Sequence, residues 1–125
     1  MWNVLIVDDE PNIVISLEFL KKEGFEVAVA ADGEEAIRLV REYAPKGIVM
    51  DLQMPKKTGV QAARAIWAAK PEIPIVFWSN YDDEAYVRGI TKIVPACATY
   101  GYILKTSSKE RLRRSIRCVF LDGQN

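Results

Sequence analysis

Five short apolar runs recur along the chain, each stopping at a polar residue or a turn and each followed by residues at helical spacing. They are Val4 to Val7, Phe25 to Val29, Ile48 to Met50, Ile73 to Trp78, and Gly101 to Leu104. Short β-rich runs bounded by turn signals read as strands, and continuous hydrophobicity marks strands covered on both faces. Phe25 to Val29 alternates instead, which suits an edge. Helices are predicted between the runs. Pro11 fits the first turn of one, with Ile13, Leu17 and Leu20 on one face and Gly24 as its stop. Asp32-Gly33-Glu34-Glu35 resembles a capping box opening a helix that Ala44-Pro45 closes. Another runs from Gly59 through Ala63 and Ile66 to Lys70, before Pro71. Asp82-Asp83-Glu84 starts a fourth, and the Ser-x-x-Glu of Ser107 to Glu110 starts a fifth, with Leu112, Ile116 and Val119 inward.

Strands alternating with helices predict a parallel sheet with helices on both faces, an α/β three-layer sandwich. Right-handed crossovers leave few topologies, and a flavodoxin-like (βα)5 order 2-1-3-4-5 is the expectation. With 125 residues and neither repeat nor linker, residues 1–125 read as one domain. The N-terminal part of a longer protein is an equally consistent organisation.

In a parallel sheet, every strand's carboxyl end lies on one edge, where ligands bind. Asp8 and Asp9 end the first strand, Asp51 the third, Ser79 the fourth and Lys105 the fifth. In the order 2-1-3-4-5 these strands are successive neighbours about 4.8 Å apart, so five side chains can ring one pocket. Three carboxylates repel one another, and a divalent cation with one ammonium offsets them. An all-oxygen site with few protein donors suits Mg2+, and Mn2+ fits as well. A carboxylate beside a cation can attack phosphorus to give an aspartyl phosphate.

These residues resemble the receiver domain of bacterial two-component response regulators. The resemblance rests on Asp8-Asp9, on Asp51-x-x-Met54-Pro55-x-x-x-Gly59, on Ser79 and on Tyr102-x-x-Lys105, in order over essentially the whole chain. It implies Asp51 as phosphoacceptor, with Mg2+ held by Asp8, Asp9, Asp51 and the Gln53 backbone carbonyl. It implies Lys105 on the phosphoryl group, with Ser79 and Tyr102 as switch residues. Gln53, Asn80 and Tyr81 fall where the family controls water access to the acyl phosphate. The segments Gly59 to Arg64, Tyr81 to Val87 and Lys105 to Glu110 are similar to receivers of the NarL/LuxR type, which usually precede a DNA-binding domain. The implied partner is a histidine kinase or histidine phosphotransfer protein, and a homodimer is compatible. DNA would be reached only through a separate output domain.

The chain departs from the family at three places. Thr106 stands where many receivers have proline, and Asn80 where the residue is commonly small. The stretch from Tyr86 to Lys105 is long, with the extra residues in Thr91 to Thr99, which predicts an altered dimer or partner surface.

Composition closes other routes. The chain has no histidine, so histidine acid/base catalysis is excluded and any phosphohistidine must come from another molecule. Cys97 and Cys118 lack metal-ligand spacing and read as free thiols. Lysine plus arginine and aspartate plus glutamate both number 17, and a net charge of zero argues against this domain gripping DNA. The basic segment from Lys105 to Arg117 reads first as a solvated helix face. Trp2, Trp67 and Trp78 read as packing residues. No apolar run approaches the ~20 residues of a membrane span, and no signal peptide stands at the N-terminus, so a cytoplasmic location is expected. A haloacid dehalogenase-type phosphohydrolase would need a second aspartate where Gln53 stands. A flavodoxin would have its FMN phosphate repelled by Asp8-Asp9-Glu10. A receiver that signals by contacts alone, without phosphate, stays open.

Overall fold

The computed structural model describes residues 3–10, 13–52, 58–79 and 84–121. The elements alternate without exception: β1 Asn3–Val7, α1 Ile13–Lys22, β2 Glu26–Ala30, α2 Gly33–Tyr43, β3 Gly47–Asp51, α3 Gly59–Ala69, β4 Ile75–Ser79, α4 Glu84–Ile93, β5 Tyr100–Leu104 and α5 Lys109–Phe120. All strand pairs are parallel, in the order β2-β1-β3-β4-β5. The expected topology is therefore observed, with β2 at one edge. Pro11, Met54-Pro55, Asp82-Asp83, and the proposed water-access residues Gln53, Asn80 and Tyr81 lie outside the described residues.

Two apolar layers flank the sheet because strand side chains alternate between its faces. One holds Leu5, Val7, Ile48, Met50, Ile75 and Phe77 under α2, α3 and α4. The other holds Val4, Ile6, Val49, Val76, Trp78 and Ile103 with Leu20 of α1 and Ile116 and Phe120 of α5. β3 and β4 are buried at every position, which accounts for their unbroken hydrophobicity. Trp67 reaches across the first layer, where its indole donates to the Ile73 carbonyl at 2.8 Å and its ring meets Phe77 edge-on at 5.9 Å.

Element ends follow local chemistry more closely than hydrophobicity does. Gly24, at φ 92°, lets α1 close with two reversed bonds, from Gly24 N–H to Lys21 and from Phe25 N–H to Leu20. This cap claims Phe25, so β2 begins one residue later than expected. Pro74 similarly delays β4 from Ile73 to Ile75, although its carbonyl accepts from the Ile48 N–H. Asp32 caps α2 by accepting from Glu35 N–H, while the Glu35 carboxylate reaches the Ala31 N–H. The cap of α5 corrects the sequence expectation: Ser108, not Ser107, accepts from Arg111 N–H, and Glu110 instead forks onto Arg113.

The basic segment of α5 is partly neutralised. Arg113 and Arg117 both reach Glu23 at the end of α1, at 3.3 and 3.4 Å, tying the two helices of one layer. Cys97 and Cys118 are free and exposed. α4, of 10 residues, ends at Ile93, so the stretch Thr91 to Thr99 divides between its last turn and the loop 94–99. There the Ala98 N–H bonds the Pro95 carbonyl, and the Thr99 hydroxyl donates to the Val119 carbonyl. This loop enters the amino end of β5, the edge opposite Asp51. Among the described residues no helix is long and apolar enough to cross a membrane.

Candidate functional site

The site is built by strands that stop at the same level. β1 ends at Val7 and delivers Asp8, whose backbone N–H still bonds the Ala30 carbonyl of β2. The Asp8 carboxylate accepts from the Glu10 N–H at 2.8 Å, a local turn that fixes its rotamer. β3 ends on Asp51, 3% exposed. β4 ends on Ser79, 1% exposed, whose carbonyl accepts from the Lys105 N–H and so joins the ends of β4 and β5. No cis peptide bond occurs among the described residues.

Asp8, Asp9, Glu10 and Asp51 each offer a carboxylate oxygen within 4.8 Å of the others. The Lys105 ammonium lies among them, 2.9 Å from Asp8, 3.4 Å from Glu10 and 3.4 Å from Asp51, with its side chain 3% exposed. The expected convergence of Asp8, Asp9, Asp51 and Lys105 is therefore present. Ser79 and Tyr102 stand in the adjoining strands. Ser79 pairs in register with Leu104 and the half-buried Tyr102 with Phe77. Glu10 was not foreseen as part of the cluster. The continuous acidic run Asp8-Asp9-Glu10 was the signal available for it.

The charges are unbalanced. Among the described residues four carboxylates face one ammonium, a formal −3, with Asp8 and Asp51 buried, Glu10 partly exposed and Asp9 exposed. Burial alone would lower the Lys105 pKa. The bond to Asp8 and the charges of Asp51, Asp8 and Glu10 outweigh it, and the pKa stands above its ordinary value. A raised lysine pKa adds stability that is fully present below the unfolded-state pKa, about 10.4, and is lost as pH rises through the folded value. Lys105 is thus expected to add no pH dependence to the urea midpoint near neutrality, where its stabilisation is fully present. Above about pH 10.4 the midpoint should fall more steeply in the native protein than in Lys105→Met.

A hard divalent cation fits this donor set. The oxygens are clustered, the negative charge exceeds what Lys105 offsets, and Mg2+ takes carboxylates while retaining waters for a phosphoryl oxygen. Asp8, Asp9 and Asp51 would hold it. With Glu10 present, the site with metal would retain a formal −1.

Gly59 explains the spacing of the motif that follows Asp51. Its N–H bonds the Leu52 carbonyl, and a Cβ there would lie 2.3 Å from the Asp51 carbonyl oxygen. Thr58 begins α3 immediately before it with a reciprocal capping box to Gln61.

Comparison with known proteins agrees with this arrangement. The family described as "Response regulator receiver domain" matches residues 4–117. The transcriptional regulatory protein DegU of Brevibacillus brevis is 36% identical over 97 residues, covering 78% of this chain and 39% of DegU. The chain spans 31% to 53% of the length of this and two further curated relatives. Among solved structures, a LuxR-family two-component response regulator from Aurantimonas superposes with a TM-score of 0.82 at 28% identity. It covers 96% of this chain and 85% of that one. The CheX–CheY–BeF3–Mg complex from Borrelia burgdorferi gives 0.84 at 27% identity over 96% and 90% of the two chains. A match from the first strand into the last helix takes in every strand end that carries the site, and the chain belongs to the receiver domain family of two-component response regulators.

Proposed function

We propose that the domain is a phosphorylation-dependent switch that accepts a phosphoryl group on Asp51. The observation that carries this is the Lys105 ammonium seated between Asp51 and Asp8 inside the four-carboxylate cluster at the sheet's carboxyl edge. An Asp51 carboxylate oxygen attacks phosphorus, and the leaving group departs with its bonding electrons, giving an acyl phosphate. Lys105 donates to the phosphoryl oxygens as charge builds there. Mg2+, which Asp8, Asp9 and Asp51 would hold, would supply further neutralisation. Mn2+ would serve in the same place.

The donor is a histidine kinase or histidine phosphotransfer protein, since these 125 residues carry no histidine of their own. The chemistry acts on the domain itself, not on an external metabolite. The new acyl phosphate adds about −2 charge and strong acceptors. Ser79, fixed at the end of β4, and Tyr102, half-buried on the edge strand β5, would pass this to the surface around β4 and β5. Similarity to DegU and to a LuxR-family regulator supports control of transcription through a separate output domain.

The test is intact mass after incubation with acetyl phosphate, with and without Mg2+, beside Asp51→Asn. A Mg2+-dependent gain of one phosphoryl group, absent in the variant, is expected. Equal labelling of Asp51→Asn would reject Asp51 as the acceptor. Absence of both labelling and a beryllofluoride response would reject the switch chemistry.

A further inference from the structure

Trp78 stands beside the reacting groups, though its sequence setting reads as packing alone. It pairs in register with Asp51 on one side and Ile103 on the other. Paired residues in a parallel ladder point to the same face, so Asp51 and Trp78 share the face that carries Val49, Val76 and Ile103. The residue is 8% exposed. The Lys105 ammonium lies 5.6 Å from its ring centroid, within cation–π range. Its buried indole N–H has no hydrogen-bond partner among the described residues. Packing alone explains this poorly. Leucine or phenylalanine would fill an apolar layer without a buried unsatisfied donor, which costs stability.

We infer that Trp78 is a positioning residue for Lys105, its indole face keeping the ammonium beside Asp51 when Asp8 is engaged by metal. The inference rests on the reading of Asp51 as phosphoacceptor. Among the described residues the shortest ion-pair contact of the ammonium is Asp8, at 2.9 Å, and not Asp51, at 3.4 Å. A divalent cation on Asp8 and Asp51 repels the ammonium from Asp8. A lysine on a flexible four-carbon stem then needs another contact that keeps it near the phosphoryl position. A further acid would deepen the −3 of the cluster and compete for the cation. An aromatic face attracts the ammonium without adding net charge, and does so more strongly where water is excluded.

The test is a double-mutant cycle with a spectroscopic arm. Phosphorylation by acetyl phosphate at saturating Mg2+ is followed in the native protein, Trp78→Leu and Trp78→Phe, each with Lys105 and with Lys105→Met. Trp78→Leu is expected to slow the maximal rate about tenfold with little change in half-saturation, and Trp78→Phe to recover most of it. With Lys105→Met, Trp78→Leu should change the rate less than about twofold, because the two residues act as one unit. Separately, Lys105→Met should change tryptophan emission in the native background but not in Trp78→Phe. The same slowing with and without Lys105, a phenylalanine variant no better than leucine, or emission indifferent to Lys105 would each overturn the inference. If the native protein takes up no phosphoryl group, the proposed function fails, and the emission arm still decides the Trp78–Lys105 contact.

Discussion

Lys105→Met is expected to destabilise the metal-free domain by about 3 kcal/mol, as removal of one partner from a buried ion pair typically does. Among the described residues Lys105 is the cation that lies among Asp8, Glu10 and Asp51, and two of these acids are almost fully buried. Without it the buried carboxylates of Asp8 and Asp51 repel each other with no ammonium between them. The same substitution should tighten Mg2+ binding by roughly tenfold, since the ammonium no longer competes for Asp8 and Asp51. Stability and phosphorylation should therefore part. Saturating Mg2+ should restore most of the urea midpoint, while phosphorylation stays slow, because the metal cannot supply the donor that Lys105 brings to the phosphoryl oxygens. Urea unfolding with and without Mg2+ and a Mg2+ titration would measure both effects. Weaker Mg2+ binding in the variant would mean that Lys105 organises the acids instead of competing for them.

Most of the fold was legible because this sheet is buried on both faces. Strands such as Val4 to Val7 and Ile48 to Met50 then have no polar face, and their runs stop where the sheet's carboxyl edge meets water. Once the strands are ordered 2-1-3-4-5, the acids and the lysine fall together, so the core of the site was legible from the same pattern. The misses have local causes. Phe25 and Ile73 look like strand residues, yet a helix cap claims one and Pro74 sets the other apart from β4. Ser107 and Ser108 both suit a helix start, and only the backbone decides that Ser108 accepts the bond.

Two contacts at the site have a different cause. Glu10 extends an acidic run whose first two members were read as the site, and its distance from Lys105 depends on the turn that Asp8 makes with the Glu10 N–H. Trp78 was assigned to packing because bulky aromatics suit buried strands. Its nearness to Asp51 comes from the β3–β4 register, and its nearness to the ammonium from the path of Lys105 after β5. Neither follows from spacing along the chain. The same holds for the order of preference at Lys105, where the nearest acid is Asp8 and not the proposed phosphoacceptor.

Gly59→Ala is the second large expected effect, and its cause is steric. The added Cβ would stand 2.3 Å from the Asp51 carbonyl oxygen and 2.8 Å from the Leu52 Cα. Both are backbone atoms at the end of a fully buried strand, so no rotamer change relieves the contact. Either α3 withdraws, losing the Gly59 to Leu52 bond, or Asp51 moves. The expected cost is about 3 kcal/mol, in the range of overpacking at a rigid site. Gly101→Ala makes a useful contrast. There the new Cβ meets the ends of side chains, Val119 Cγ2 at 2.9 Å and Ser115 Oγ at 3.2 Å. Those atoms can shift, and a loss of about 1 kcal/mol is expected. Phosphorylation separates the two further. Gly59→Ala should impair acetyl phosphate labelling even under conditions where it is fully folded, because the strain falls on the residue that carries the reacting carboxylate. Gly101→Ala should label normally. Labelling at the native rate in folded Gly59→Ala would mean that α3, and not Asp51, absorbs the displacement.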